Sequence, residues 1–254
     1  MPRTYTVFGA DPRQVYLAKL LELQGYSILH TTQEFPDSDS LLLPLPSVSQ
    51  DGLITGSAQN FESVLQSRRA GTSVWGIGLQ QYKSLGESLG IALHNYTDYP
   101  EFEARNAIPT AEGAIQIAME QLPTTICGGQ FLVIGYGRIG SALAERLTHL
   151  GGAVTVARRT TTPIPYPCDI TGVYGSPLCD YDAIFNTVPF PVFSEEHVNR
   201  TREDCLLMDL ASHPGGIAKT GSRRLVHALG LPAKAAPKTA AAIMFDILLS
   251  KEEE

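Results

Sequence analysis

The stretch QFLVIGYGRIGSALAERLTHLGGAVTVARRTTT, residues 130–162, places three closely spaced glycines between an apolar run and an amphipathic run. The apolar run at residues 131–135 predicts a strand, and residues 138–150 have helical spacing. The glycine pair at 151 and 152 precedes a second apolar run, residues 153–157, which predicts a second strand. The order strand, glycine turn, helix, strand predicts a βαβ unit with parallel strands.

The glycine motif consists of Gly135, Tyr136, Gly137, Arg138, Ile139 and Gly140. In dinucleotide sites the first glycine permits a tight turn, the second lets a pyrophosphate approach the backbone, and the third lets helix and strand pack closely. The N–H groups that open the helix then face the phosphates. We therefore predict that these residues bind a nicotinamide dinucleotide. A glycine-rich turn without a ligand is the alternative.

Two adjacent arginines, Arg158 and Arg159, follow the second strand of this unit. A site for NAD usually carries an acidic residue here, about 20 positions beyond the glycines, but the next carboxylate is Asp169. Guanidinium groups complement a 2′-phosphate, which a carboxylate repels. The arginines therefore predict NADP as the cofactor, with NAD possible. An arginine that stacks on adenine or points into solvent is the alternative.

Composition limits the classes of function. The chain has 254 residues, 43% of them hydrophobic, and a formal charge of −7, which argues against a nucleic-acid partner. The four cysteines are scattered, with no Cys-x-x-Cys pair, so we predict neither a metal site nor a disulfide framework. We see no secretory signal and no apolar run of the roughly 20 residues that span a bilayer, so we expect a cytoplasmic protein.

The whole pattern predicts an α/β protein with two Rossmann-like domains, each a parallel sheet flanked by helices. We expect an N-terminal flavodoxin-like or Rossmann-like domain at residues 1–105 and an NADP-binding domain at 128–236. A long connecting helix is expected within residues 106–127, beginning near Pro109. The apolar face of a last helix, in residues 237–254, is expected to pack back on the first domain.

Five further stretches resemble the dipicolinate synthase A family. They are GADPRQ (9–14), NAIPTAEGAI (106–115), NTVPFPVF (186–193), MDLASHPGGI (208–217) and GLPAKAAPKTAAAI (230–243). The likeness covers most of the chain and is weakest between residues 30 and 90. One departure is that the family commonly has Pro-Gly-Gly-Thr-Asp where this chain has Pro-Gly-Gly-Ile-Ala, residues 214–218.

The resemblance implies a fold similar to 2-hydroxyacid dehydrogenases, with a deep cleft between two domains. It implies a dicarboxylate substrate, the reduced heterocycle made by dihydrodipicolinate synthase. A nicotinamide cofactor would accept hydride as the ring becomes aromatic, giving pyridine-2,6-dicarboxylate for sporulation in the mother cell. A second, flavoprotein-like dipicolinate synthase subunit is also implied, and with it a homo- or hetero-oligomer.

A dianionic substrate needs hydrogen-bond donors at both carboxylates. Thr110, with the N–H groups at the start of its helix, is one candidate set. Ser212, with the backbone of Gly215 and Gly216, is a second. Each has an ordinary alternative, because Thr110 suits a helix start and Ser212 suits a turn cap.

The stretch at residues 230–243, which resembles the family, includes the beginning of the last helix, and the resemblance predicts further substrate contacts there. It makes Lys238 and Thr239 candidates there, although a solvated lysine is the alternative. Thr187 and Pro189 end a strand at the carboxyl edge of the sheet, so we predict that they line the nicotinamide side. Strand termination alone is their alternative.

Loss of a proton accompanies aromatisation, so an acid or base can assist. His213 and Glu112 are the catalytic candidates, and a structural histidine is the alternative for the first. A 2-hydroxyacid reductase is an alternative enzyme, but the expected Arg and His–carboxylate set is not identified. A non-catalytic cofactor-binding subunit of a larger complex is the alternative from another class.

Overall fold

The computed structural model describes residues 3–159, 163–169, 177–218 and 225–252. The chain divides into two compact units. Unit 1 comprises Met1–Asn106 and Pro232–Glu254, and unit 2 comprises Ala107–Leu231. Each unit holds one parallel sheet flanked by helices, so the predicted α/β fold class is confirmed. No helix in the described ranges is long and apolar enough to cross a membrane.

Unit 1 is built on a sheet of five parallel strands in the order β2-β1-β3-β4-β5, the flavodoxin-like order. Its three central strands are largely buried, as expected for a parallel sheet covered on both faces, whereas the two edge strands are more exposed. The elements are β1 (Thr4–Phe8), α1 (Pro12–Leu23), β2 (Ser27–Thr31), β3 (Ser40–Leu42), α2 (Phe61–Gln66), β4 (Ser73–Gly76), α3 (Lys83–Leu89) and β5 (Ala92–Asn95).

The long helix α4 runs from Pro100 to Gln121. The expected beginning near Pro109 is therefore wrong. Pro100 suits the first helical position, where its missing N–H group costs nothing and its φ is already helical. Pro109 lies inside the helix, where it forgoes one backbone hydrogen bond, and burial of Phe102 and Ala107 favours helix on the N-terminal side of it.

Unit 2 is built on a sheet of six parallel strands in the order β11-β10-β9-β6-β7-β8, the order of the dinucleotide-binding Rossmann fold. The elements are β6 (Gln130–Ile134), α5 (Arg138–His149), β7 (Ala153–Ala157), β8 (Cys168–Asp169), β9 (Ala183–Asn186), α6 (Glu195–Asn199), β10 (Leu206–Asp209) and β11 (Leu225–His227). A short helix, α7 (Leu231–Ala235), begins at the last residue of unit 2 and continues into unit 1. The order reverses between β6 and β9, and ligands of such sheets bind at the carboxyl ends of the strands at that point.

The last helix, α8 (Pro237–Glu252), belongs to unit 1 and packs along α1. Its buried side chains, among them Met244, Ile247 and Leu248, join the core that covers β1. Its last turn is held by Glu252, whose carboxylate accepts hydrogen bonds from Tyr5 and from Ser40. The hydrogen-bonded end and the apolar face together keep this helix on the sheet of unit 1.

Candidate functional site

The glycine turn joins the carboxyl end of β6 to α5, and each glycine has its own reason. Gly135 has a φ of +95°, and a Cβ there would lie 2.4 Å from Thr187 Oγ1. A Cβ at Gly140 would lie 2.2 Å from the carbonyl oxygen of Gly135, so the helix packs directly on the turn. A Cβ at Gly137 would meet no described atom within 4 Å. The space in front of Gly137 is therefore open, as the approach of a pyrophosphate requires.

The N-terminus of α5 is open as well. Gly137 occupies the cap position with an extended backbone, and no side chain among the described residues caps the helix by a hydrogen bond. The first helical bond runs from Ser141 N to the carbonyl oxygen of Gly137, at 2.9 Å. The N–H groups of the first turn therefore have no intrahelical acceptor, and they carry the positive end of the helix dipole. The turn fits a dinucleotide diphosphate.

Arg158 lies beside this turn, at the end of β7. Its guanidinium carbon is 5.7 Å from the centroid of the Tyr136 ring, within the range of a cation–π contact. Tyr136 in turn meets Tyr166 edge to face, with the ring centroids 6.0 Å apart. Burial raises the pKa of the Tyr166 hydroxyl, so this phenol stays neutral. Arg158 is half-buried, whereas Arg159 is exposed, so Arg158 is the arginine that the structure connects to the turn.

A buried polar pair, Asn186 and Asp209, lies at the carboxyl ends of β9 and β10. Asn186 Nδ2 donates to Asp209 Oδ1 at 2.8 Å and to the carbonyl oxygen of Val188 at 2.9 Å. Asp209 Oδ2 accepts from the N–H groups of Gly216 at 2.8 Å and Ile217 at 3.1 Å. The pair therefore holds two loops in place, residues 187–193 and 211–217.

The sequence reasoning missed this pair, although a signal was present. Asn186 and Asp209 each end an apolar strand of unit 2 with a polar side chain. Both are almost completely buried, and a buried carboxylate needs several donors to compensate for lost hydration. When two adjacent parallel strands each end in a polar residue, those side chains can be expected to hydrogen-bond the loops at the carboxyl edge of the sheet, where ligands bind.

The loop held by Asp209 carries four predicted site residues. Ser212 and His213 are exposed, whereas Gly215 and Gly216 are buried. The Gly215 N–H donates to the carbonyl oxygen of Ser212 at 2.8 Å, and the Gly216 N–H donates to Asp209. The prediction that these two N–H groups bind a substrate carboxylate is therefore corrected, because both already have acceptors within the loop.

The two glycines serve the packing of the loop. Gly215 has a φ of +81°, and a Cβ there would lie 2.6 Å from Asp209 Oδ2. A Cβ at Gly216 would lie 2.4 Å from Asn186 Nδ2. Ile217, part of the departure from the family pattern, is buried in the core of unit 2. This chain therefore has an apolar core residue at the position where the family commonly has threonine.

Thr110 and Glu112 lie on α4. Thr110 is buried within the helix, ten residues after its first residue, so the N–H groups around it do not open a helix as the sequence predicted. Glu112 is exposed and pairs with Arg146 Nε at 3.4 Å, in the last turn of α5. The glycine turn precedes the first turn of α5, about 12 Å away along the axis. Glu112 is therefore not brought to the glycine turn, which removes the geometric basis for its predicted catalytic role.

The remaining predicted residues divide between the units. In unit 2, Thr187 Oγ1 donates to the carbonyl oxygen of Ile134 at 2.9 Å, so Thr187 lies against the glycine turn, and Pro189 follows it, exposed. In unit 1, Lys238 and Thr239 are exposed in the first turn of α8.

No family model matches the chain. Among curated proteins, the dipicolinate synthase A protein of Bacillus subtilis is 28% identical over 231 residues, which cover 84% of this chain and 77% of that protein. The resemblance is confirmed. The solved dipicolinate synthase A structure from B. subtilis is 25% identical, with a TM-score of 0.80 and coverage of 100% of this chain and 98% of that one.

Two further structures share the fold. Dipicolinate synthase A from Bacillus halodurans has a TM-score of 0.84 at 24% identity, covering 99% of this chain and 98% of that one. Salmonella D-lactate dehydrogenase has a TM-score of 0.64 at 12% identity, covering 97% and 95%. The chain is thus similar to dipicolinate synthase A in sequence and in fold, and it shares that fold with a dehydrogenase.

Proposed function

We propose that the protein is an NADP-linked oxidoreductase with the role of dipicolinate synthase A. Its proposed substrate is a dihydrodipicolinate-type product of dihydrodipicolinate synthase, and its product is pyridine-2,6-dicarboxylate for sporulation. The observation that carries the proposal is the glycine turn. A Cβ at Gly137 would meet no described atom, no described side chain caps the helix that begins there, and the guanidinium of Arg158 lies over the adjacent Tyr136 ring.

The reaction removes two electrons and two protons from the ring as it becomes aromatic. When bound, NADP⁺ accepts one hydrogen with both electrons as hydride, and the other leaves as a proton. The α5 amide groups hold the diphosphate, and Arg158 binds the 2′-phosphate through charge-assisted hydrogen bonds. Arg159 is a second, more exposed contact for the same phosphate.

His213 is the proposed acceptor of the ring proton, and Ser212 a proposed donor to a substrate carboxylate. Both side chains are exposed on the loop that Asp209 holds, at the edge of the sheet where Thr187 and Pro189 lie. Lys238 and Thr239 remain proposed substrate contacts on the strength of the resemblance. We further propose that the partner is a second, flavoprotein-like subunit, within an oligomer in the mother-cell cytoplasm.

The test mixes the protein with NADP⁺ and freshly generated dihydrodipicolinate synthase product, alone and with a partner subunit. Appearance of the ultraviolet absorbance of pyridine-2,6-dicarboxylate, in step with NADPH at 340 nm, is the expected result. No product under either condition contradicts the enzymatic proposal.

The cofactor preference has its own test. Arg158→Asp should weaken NADP binding by about a hundredfold, because a carboxylate replaces the cation that faces the 2′-phosphate. Binding of NAD, which lacks that phosphate, should change far less. Calorimetric titration of both cofactors into wild type, Arg158→Asp and Arg159→Asp measures this. Unchanged NADP affinity in both variants refutes the assignment.

A non-catalytic cofactor-binding subunit is the second candidate, and one observation favours it. The N–H groups of Gly215 and Gly216 are occupied within their loop, and the family's Thr-Asp is replaced by Ile217 and Ala218. Tight NADP binding together with no turnover, with or without the partner subunit, would select this function.

A further inference from the structure

Phe190 is an exception among the phenylalanines of this protein. It is 68% exposed, whereas the other phenylalanines are buried or partly buried. Exposure of a phenyl ring to water is unfavourable. Single exposed apolar side chains are nevertheless common on protein surfaces, so exposure alone does not indicate a function. The position of Phe190 in its loop gives this one significance.

The loop that carries Phe190 is held on both sides by hydrogen bonds. Before it, the Val188 N–H and carbonyl oxygen bond to the Asn186 side chain at 3.1 and 2.9 Å. After it, the N–H groups of Val192 and Phe193 donate to the carbonyl oxygen of Gly216 at 3.1 and 2.9 Å. The ring is therefore presented to solvent by an anchored backbone.

Neighbouring residues restrict the loop further. Pro189 and Pro191 flank Phe190, and a proline fixes φ at its own position and restricts the residue before it. The Phe190 carbonyl oxygen lies so close to Gly216 that a Cβ there would be 2.7 Å from it. A backbone held in this way loses little conformational entropy when a flat partner binds the side chain that it carries.

The loop begins against the glycine turn. A Cβ on Gly135 would lie 2.8 Å from Val188 Cγ2, only two residues before Phe190. The loop also follows β9, whose neighbour β6 leads into the turn, so it leaves the sheet at the point where the strand order reverses. An exposed, anchored aromatic ring is therefore present at the edge where the proposed reaction takes place.

We infer that Phe190 is a stacking platform for a planar nitrogen heterocycle that binds at this edge. The inference rests on the proposed function, which brings two such rings here: the nicotinamide of the cofactor and the pyridine ring of the product. An aromatic face stacks on either ring, and both offer a flat π-surface of similar size. Phe190 orients that ring, while hydride transfer remains the chemistry of the cofactor.

The experiment compares ligands that differ only in the ring. NADP and 2′-phospho-ADP-ribose share the diphosphate and the 2′-phosphate, but only NADP carries the nicotinamide. Each is titrated by calorimetry into wild type, Phe190→Ala, Phe190→Tyr and Leu150→Ala. Leu150→Ala is the matched control because Leu150 is also an exposed apolar residue of unit 2, at the opposite end of α5. Pyridine-2,6-dicarboxylate is titrated with 2′-phospho-ADP-ribose already bound.

We expect Phe190→Ala to lower the affinity for NADP by about tenfold and to leave 2′-phospho-ADP-ribose unchanged. Phe190→Tyr should retain wild-type affinity, and Leu150→Ala should behave as wild type. A loss confined to pyridine-2,6-dicarboxylate also supports the platform and assigns it to the ring of the product.

Three outcomes overturn the inference. Phe190→Ala could leave NADP and pyridine-2,6-dicarboxylate affinities unchanged, or it could weaken 2′-phospho-ADP-ribose as much as NADP. It could also change the molar mass measured by light scattering, which would make the ring a contact between copies of the chain. Failure of the proposed function looks different: either the wild type binds neither nucleotide, or it binds NADP and forms no product, and neither result depends on Phe190.

Discussion

In both units the first strand leads through a glycine turn into a helix, but the N-termini of the two helices are capped differently. In unit 1, β1 leads through Gly9 to α1, and in unit 2, β6 leads through Gly135 to α5; both glycines have positive φ, +119° and +95°. The first helix is closed by Asp11, whose Oδ1 accepts the Arg13 N–H at 2.8 Å. The second helix begins at Gly137 without a side-chain cap among the described residues.

The cap decides what each helix can bind. The Asp11 carboxylate already occupies the positive end of α1, and the Arg13 guanidinium pairs with it at 2.6 Å. Arg13 also donates to the carbonyl oxygen of Leu45, so the residues that begin α1 satisfy one another. At α5 the same positive end is left for a ligand. The same strand–turn–helix connection therefore gives one structural turn and one candidate phosphate site.

The strongest way to break this comparison is to give α5 the cap of α1. Gly137→Asp should weaken NADP binding by about a hundredfold or more, because a carboxylate then occupies the diphosphate position. The extended backbone at Gly137 accepts an N-cap aspartate, and its Cβ meets no described atom, so folding stability should be kept. Calorimetric titration and thermal unfolding measure the two effects.

The control for that variant is Gly137→Ala, which adds only a methyl group. It should reduce affinity less than the aspartate does. If Gly137→Asp binds NADP as well as wild type does, the diphosphate does not lie at this turn, and the contrast between the two helices has no functional meaning.

The next prediction concerns how each unit ties its edge loops. Unit 1 uses a neutral acceptor, Asn95 Oδ1, which bonds the N–H groups of Gly78 and Leu79 at 3.0 and 3.1 Å. Unit 2 uses the charged Asp209. Asp209→Ala should lower the free energy of unfolding by about 3 kcal/mol and Asn95→Ala by about 1–2 kcal/mol, because charge-assisted bonds are stronger and more donors lose their acceptor.

Urea denaturation of the two variants measures this difference in unfolding free energy. If the two units unfold in separate transitions, each transition is fitted on its own. Asp204→Ala is the control, because that exposed carboxylate makes an ion pair with Arg202 at the surface. If Asp209→Ala and Asn95→Ala lowered the free energy of unfolding equally, the charge of Asp209 would not strengthen the hydrogen bonds that hold its loop.

The smallest expected effect concerns the charge of Asp11, the residue that caps α1. Burial raises the pKa of Asp11, but hydrogen bonds and charge from Arg13 lower it by more, so the net pKa lies below its ordinary value. A carboxyl group with a depressed folded-state pKa stabilises the fold above its unfolded pKa of about 3.9, and loses that contribution as the pH falls through the folded value.

Asp11→Asn keeps an N-cap acceptor but removes the charge. It should therefore cost about 1 kcal/mol near neutral pH, and the difference from wild type should shrink as the pH falls below about 4. Unfolding free energies at a series of pH values measure it, with the exposed Asp51→Asn as control. A difference independent of pH across this range would contradict the role given to the Asp11 charge.

Much of this molecule was predictable from local patterns. The strand, glycine turn and helix at residues 131–150 follow from periodicity and three glycines, and the structure places β6 and α5 there. The beginning of α4 was not predictable in that way, because Pro109 signals a helix start locally while burial of Phe102 and Ala107 extends the helix before it. Burial depends on partners that are distant in sequence.

The sequence alone determined that two α/β units would form and that one of them carries a glycine turn between a strand and a helix, since glycine spacing and apolar periodicity are local properties of a chain. Only the tertiary structure decided that Arg158 lies over Tyr136, that Asn186 and Asp209 join two loops, and that Glu112 pairs with Arg146. Those contacts connect residues far apart in sequence. Their geometry is set by the order and register of the strands, which no single segment encodes.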